Sequence, residues 1–163
     1  MSMIPIGEAR KRGLKGVKVG DTFTAARTFT ETDVLRFGEI SKDYNPVHFD
    51  ERFARAGRFT GRICHGLLVA SMATEIGGQL GWLASGMRFE FKRPVYPGDR
   101  IECRLTIARF GEGGRVRGEG VFLNQHGMMV MEAVVEGIVP DLRCREVLET
   151  MVAEDEASNI QNR

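Results

Sequence analysis

The segment His65 to Leu83, HGLLVASMATEIGGQLGWL, constrains the fold of this chain more than any other. After its initial histidine it carries one charged residue, Glu75. A helix that is apolar on most sides must be covered on most sides, so it belongs inside a structure rather than on its surface. Its four glycines weaken a helix in water but let it lie close against a sheet. No run of about 18 apolar residues occurs, so a membrane-spanning helix is not expected. The rest of the chain has to supply the cover.

The residues that follow read as strands. Met87, Phe89 and Phe91 alternate with Arg88, Glu90 and Lys92, a period of two. Pro94 and the Pro97-Gly98-Asp99 turn end that run. Ile101, Cys103, Leu105 and Ile107 then alternate with Glu102, Arg104 and Thr106. Val116 to Leu123 and Met129 to Val139 are two more strands, with turns at Gly111 to Gly114 and at Gln125-His126-Gly127. The simplest arrangement is a four-strand meander. Upstream, Phe23 to Thr30 reads as a short strand. Thr30 is a helix N-cap followed by the early acids Glu31 and Asp33. Val34, Phe37 and Ile40 recur every three residues, which predicts a helix to about Ser41. Residues 42–64 are expected to be mostly loop, with one helical turn near Glu51 to Ala56. The fold class is therefore α+β: an antiparallel sheet wrapped around one long apolar helix. Residues 19–140 form a single domain, 1–18 an irregular N-terminal arm, and 141–163 a short helix with an acidic tail.

Charge and cysteine content narrow the function classes. The net charge is +1, so no global field draws the chain to nucleic acid or an anionic membrane. Arg10, Lys11, Arg12, Lys15 and Lys18 cluster near the N-terminus and read as a solvated arm. Cys64, Cys103 and Cys144 are widely spaced and lack a CxxC pair, which argues against a disulfide framework and a zinc site. The opening MSMIPIGEARKRG lacks the order of a signal peptide, so a cytoplasmic location is expected.

Two segments can carry chemistry. In Asp43-Tyr44-Asn45-Pro46-Val47-His48 a carboxylate and an imidazole flank a proline-stiffened turn. A bend there points both into one cleft, as acid–base addition of water requires. Asn45 suits an orienting role, because asparagine bonds local backbone in turns. Equally, Asp43 and Asn45 suit an ordinary turn and His48 a satisfied histidine. In Gly61-Arg62-Ile63-Cys64-His65-Gly66 a glycine opens the apolar helix, leaving N–H groups free for a ligand oxygen. His65 could instead simply cap that helix. Ser71 and Thr74 are polar intrusions in the helix; either could bond Asp43 or the preceding helical turn. Cys64 reads as a structural thiol, and His126 as an exposed turn residue.

Taken in order, these pieces resemble the MaoC-like dehydratase family, which includes the (R)-specific enoyl-CoA hydratases. The matching pattern is Asp43-Tyr44-Asn45-Pro46-Val47-His48, then Arg62-Ile63-Cys64-His65-Gly66-Leu67-Leu68-Val69-Ala70-Ser71, then Phe89, Lys92, Pro94, Val95 and Pro97-Gly98-Asp99. The resemblance runs from about Val19 to Val139. It implies a hot-dog fold working as a homodimer or a higher homo-oligomer of dimers. It implies a hydro-lyase that adds water to a trans-2-enoyl thioester in syn fashion to give the (R)-3-hydroxyacyl product. Asp43 and His48 would hold and activate the water, and the Gly66 N–H would polarise the carbonyl. Asn45, Ser71, Thr74 and His65 would be supporting residues, with Thr74 in the place of the serine that backs the family's aspartate. Lys92 and Arg93 would meet substrate phosphates. No metal or organic cofactor is needed; coenzyme A, or the phosphopantetheine of an acyl carrier protein, arrives with the substrate. Two alternatives share the fold. One is an acyl-CoA thioesterase, which usually lacks the Asp-x-Asn-Pro-x-His loop. The other is a non-catalytic partner subunit or acyl-CoA-binding module.

Overall fold

The computed structural model describes residues 3–161, with side chains through residue 154. The chain opens with β1 (Met3–Pro5) and α1 (Ile6–Leu14), followed by β2 (Thr22–Thr28) and α2 (Glu31–Ser41). Two short helices follow, α3 (Pro46–Phe49) and α4 (Glu51–Ala56), and then the apolar helix α5 (Gly66–Leu80). The remainder is β3 (Leu83–Phe91), β4 (Arg100–Phe110), β5 (Arg115–Leu123), β6 (Met129–Ile138) and α6 (Leu142–Gln161). The result is the expected α+β hot-dog architecture, with one six-stranded sheet packed around α5.

The alternation in the sequence decides which face of the sheet meets the helix. On β4, Ile101, Cys103, Leu105 and Ile107 are fully buried, while Glu102 and Arg104 pair with each other on the outer face. From the other side, Val69, Met72, Ala73, Ile76 and Leu80 of α5 fill the core. Burying each large apolar side chain of this kind contributes about 1.5–3 kcal/mol. The outer face of β3, β5 and β6 carries a lattice of charges, including Lys92 with Glu90 and Glu132, and Arg117 with Glu119 and Glu136.

Three expectations need correction. First, the four later strands are not a meander. The strand order is β1-β2-β4-β5-β6-β3, so β3 pairs with β6 and the chain crosses the sheet before β4 lies beside β2. Alternation identifies a strand and its inward face but does not select its neighbour. Second, the expected irregular arm over residues 1–18 is, from residue 3 on, a strand and a helix; residues 1 and 2 lie outside the described residues. β1 pairs with β2 in parallel, and α1 packs on the C-terminal half of α5 with Ala9 fully buried. Arg12 forms a 2.6 Å ion pair with the buried Asp21, which also accepts from the Lys18 N–H. The sequence of α1 is charge-rich with two glycines and buries only a narrow face, so its periodicity is faint. Third, α6 is one twenty-residue helix rather than a short helix and a tail.

Between β2 and α5 the expectations hold better. Thr30 caps α2 in a full capping box with Asp33. The anticipated turn near Glu51 is α4. The four-residue α3 is the addition, started by Pro46 and by the Asn45 side chain accepting from the Val47 N–H. A proline at a first helical position loses no hydrogen bond, so the residue that disfavours helix at Asn45 favours it one step later. Among the described residues no helix is long and apolar enough to cross a membrane.

Candidate active site

The site forms where the loop after α2 meets the start of α5. Lys42 ends α2 in a left-handed conformation (φ 60°) and turns the chain sharply. The Ser41 hydroxyl donates to the Phe37 carbonyl and accepts from the Asp43 N–H, fixing the start of the loop. The Asp43 carboxylate accepts from the Asn45 N–H at 3.2 Å. One turn of α3 then carries His48 back toward the protein.

His48 is buried, at 7% exposure, whereas half of the Asp43 side chain is exposed. The His48 Nδ1 lies 2.8 Å from the Ile63 carbonyl. A carbonyl only accepts, so Nδ1 carries the proton and Nε2 presents a lone pair. That Nε2 stands 3.9 Å from the Asp43 carboxylate. Burial holds the His48 imidazole below its ordinary value, and neighbouring His65 adds to this; the bond to Ile63 and the charge of Asp43 oppose it. The ring is therefore neutral at neutral pH, and its Nε2 can take up a proton.

His65 is 1% exposed and lies against His48, with ring centroids 3.8 Å apart and planes 27° apart. Its Nε2 is 2.9 Å from the Asp43 carbonyl. It is the N-cap residue of α5, yet its side chain does not cap the helix. Phe37 and Phe49 close around the pair at 5.0 and 5.7 Å from the His65 ring. The tip of the Phe49 ring sits where a Cβ on Gly38 would be, 2.7 Å away, so α2 needs a glycine at that point.

Gly66 opens α5, and its N–H meets no protein acceptor among the described residues. Beside it is a cavity of about 390 Å³ lined by His48, Ile63, Val69, Phe91, Arg93 and Met131, among others. The edge of the Phe91 ring lies 2.6 Å from where a Cβ on Gly66 would stand. Any side chain at 66 would crowd the ring and the cavity mouth together.

The structure brings Asp43, Asn45, His48, His65 and Gly66 together as the sequence suggested. Ser71 and Thr74 it does not. The Ser71 hydroxyl donates to the Leu68 carbonyl and the Thr74 hydroxyl to the Ser71 carbonyl. Both therefore bond within the helix rather than to Asp43, and Thr74 is on the exposed side of α5. Lys92 and Arg93 do line the cavity, but Lys92 is held by Glu90 at 2.7 Å and Glu132 at 2.8 Å. Arg93 donates to the Met129 carbonyl through one nitrogen. The reading of the sequence missed the Ile63 carbonyl, Phe49 and the position of Phe91 over Gly66. A main-chain acceptor leaves no residue-type signal; Phe91 was visible as the end of an alternating strand, but not its neighbour.

Asp43, His48 and His65 each place a potential metal ligand within 4.8 Å of the others. The two imidazoles are stacked, however, and stacked rings direct their lone pairs side by side rather than toward one point. Tetrahedral coordination at about 2.0–2.1 Å per nitrogen needs convergent lone pairs, so the arrangement suits proton transfer better than a metal.

Residues 16–124 match the family described as MaoC like domain. The chain belongs to the MaoC-like dehydratase family. It is 39% identical over 132 residues to a mitochondrial 3-hydroxyacyl-[acyl-carrier-protein] dehydratase of Arabidopsis thaliana, covering 77% of this chain and 80% of that one. It is 30% identical over 102 residues to an (R)-specific enoyl-CoA hydratase of Aeromonas caviae, covering 60% of this chain and 76% of that one. Among solved structures, the R-hydratase PhaJ1 of Pseudomonas aeruginosa, unliganded, superimposes with a TM-score of 0.72 at 28% identity, over 78% of this chain and 85% of that one. The MaoC-like match begins at residue 16, after α1, and ends at the β5–β6 turn.

Proposed function

We propose that this MaoC-like protein is a hydro-lyase that interconverts a trans-2-enoyl thioester and the (R)-3-hydroxyacyl thioester, using Asp43 and His48. The observation that carries the reading is the 3.9 Å gap between the His48 Nε2 lone pair and the Asp43 carboxylate. Two acceptors at that distance cannot bond each other. One water molecule can donate a proton to each, at about 2.8 Å apiece. Held so, its oxygen is free to attack.

In the hydration direction the water oxygen bonds to C3 of the enoyl group as His48 Nε2 takes a proton from it. The C2=C3 electron pair moves onto the thioester carbonyl, and the Gly66 N–H at the start of α5 stabilises the resulting oxyanion. The histidine–carboxylate pair then returns a proton to C2 on the same face, so the addition is syn. Asn45 holds the Asp43 carboxylate through its own N–H. Acid–base participation of this kind is worth about 10²–10⁴-fold for each role. The acyl chain enters the apolar cavity past Phe91 and Val69, and Arg93 meets the phosphates of the thioester carrier. No metal or organic cofactor takes part; coenzyme A or phosphopantetheine comes with the substrate. The names of the relatives, which span CoA and acyl-carrier-protein substrates, support the substrate class.

The active form is a homodimer or a dimer-based homo-oligomer. β3 is the last strand of the sheet, with no strand beyond it among the described residues. Its Met87 and Phe91 face the same side as the buried Val135 and Met131 of β6, yet Met87 is 38% and Phe91 56% exposed. A core-facing strand left uncovered calls for a second copy across that edge.

The test is to incubate the protein with crotonyl-CoA and follow loss of the conjugated enoyl absorbance alongside release of free thiol. Loss of absorbance without thiol, with an (R) product on chiral analysis, is the expected result. Thiol release would support the thioesterase alternative instead, and binding without turnover the non-catalytic one.

A further inference from the structure

The loop that carries Asp43 is tied to the rest of the molecule at few points. Its N–H bonds to Ser41, two residues away, and its carboxylate to Asn45, also two residues away. Neither bond fixes Asp43 relative to His48. The long-range tie is the bond between the Asp43 carbonyl and His65 Nε2, twenty-two residues on. His65 also lies flat against His48, and it directly precedes Gly66, whose N–H opens α5. One buried side chain therefore touches the main chain of the first site residue and the ring of the second, and its own main chain leads into the third.

We propose that His65 is a positioning residue, whose Nε2–H holds the Asp43 main chain so that its carboxylate stands at the distance from His48 that the reaction needs. The inference rests on Asp43 and His48 being the reacting pair. Its hydrogen-bond pattern is specific. The Asp43 carbonyl can only accept, so the His65 proton is on Nε2. The opposite nitrogen, Nδ1, is buried and has no partner among the described residues. A proton placed on Nδ1 would be a buried donor without an acceptor, and would leave the Asp43 carbonyl facing a lone pair. A bare Nδ1 costs less, so the surroundings select one tautomer. The N-cap position of a helix usually spends its side chain on the helix's own N–H groups. Here that position turns its ring to the catalytic loop instead, and its side chain does not fold over the start of α5 beside the Gly66 N–H. The helix gives up a cap, and the site gains a fixed carboxylate.

The experiment separates donation from ring packing. His65→Phe keeps a buried ring against His48 but removes the donor. His65→Gln restores an N–H at about the reach of Nε2 without the ring. Steady-state hydration of crotonyl-CoA is measured for each beside wild type, with thermal melts to confirm folding. A displacement of about 1 Å in a reacting group can cost about 10²-fold. The expected result is a fall of about that size in kcat for His65→Phe with KM little changed, and recovery of most of the loss in His65→Gln. Full kcat in His65→Phe, or His65→Gln no better than His65→Phe, overturns the proposal. A second readout needs no turnover: imidazole ¹⁵N shifts of the wild-type protein report which His65 nitrogen is protonated. Nε2–H is expected, and Nδ1–H overturns the proposal whatever the variants do. Asp43→Asn is run in parallel. Full activity in that variant overturns the role of Asp43 itself, while the tautomer readout still decides the hydrogen bond independently.

Discussion

The two ends of α5 are built in opposite ways. At the C-terminal end the helix is closed by its own main chain and by α1. Gly81 adopts the left-handed conformation (φ 69°), its N–H bonds to the last turn, and the Trp82 N–H reaches back to the Gly77 carbonyl at 2.9 Å. Arg10 of α1 donates to the Gly78 carbonyl, and Leu80 packs on Gly13. At the N-terminal end the cap residue, His65, does not cap, and among the described residues neither the Gly66 N–H nor the buried His65 Nδ1 has a protein partner. One helix thus has a closed end and an open end, and the open one is where the proposed reaction sets the thioester carbonyl. A buried polar group without a partner costs about 1–3 kcal/mol, and a structure retains that cost where the group has other work.

That contrast predicts which property each substitution changes. The largest effect is expected at the open end. His48→Asn keeps a nitrogen that can donate to the Ile63 carbonyl but removes the Nε2 base. Hydration should fall by about 10²–10⁴-fold with the melting temperature little changed, as read by enoyl absorbance and a thermal melt. Next is Gly66→Ala, which keeps the N–H but sets a methyl 2.6 Å from the Phe91 ring at the cavity mouth. A drop of about 10²-fold in kcat/KM is expected, comparable to losing an oxyanion donor. A fully active Gly66→Ala would remove that mouth from the substrate path.

At the closed end the sign of the comparison reverses. Gly81→Ala places a Cβ in a left-handed position and 3.0 Å from both Leu148 and Pro140. A loss of about 1–2 kcal/mol in unfolding free energy by urea titration is expected, with activity per folded molecule retained. If it instead lost activity at unchanged stability, the two ends would not be separable.

The smallest effect is on pH dependence. In the proposed reaction His48 acts as the free imidazole, and burial depresses its pKa below the ordinary 6.5. The rate should therefore persist as pH falls through 6.5 and decline only below it. By the same linkage, the stability contributed by the neutral buried ring is full above 6.5 and is lost as pH falls through the lower folded value. An acid limb in the kcat/KM profile centred at or above 6.5 would contradict the burial of His48.

The same contrast explains how much was legible beforehand. The buried helix, the inward faces of β4 and the N-cap at Thr30 were readable because apolar periodicity and cap chemistry act over a few residues. Asp43, His48 and Gly66 were readable as a set because their spacing resembles a known family's. Strand order was not, because β3 carries the same alternation whether β4 or β6 lies beside it. The helical N-terminus escaped because α1 buries little more than Ala9. Thr74 was misplaced for a related reason: its spacing along the helix was right for a hydroxyl near Asp43, but its rotation about the axis puts it outside and bonded to Ser71. Relations that depend on distant backbone, such as the Ile63 carbonyl on His48, leave no trace in residue type.

The central claim is that Asp43 and His48 act on one water as a unit. The most direct test is the kcat/KM of Asp43→Asn, His48→Asn and the double variant for hydration of crotonyl-CoA. Groups that serve one event lose most of their value when either is removed. The account predicts that each single variant is severely impaired and that the double variant is little worse than the poorer single one. Losses that multiply in the double variant, or an Asp43→Asn enzyme with wild-type activity, would contradict it.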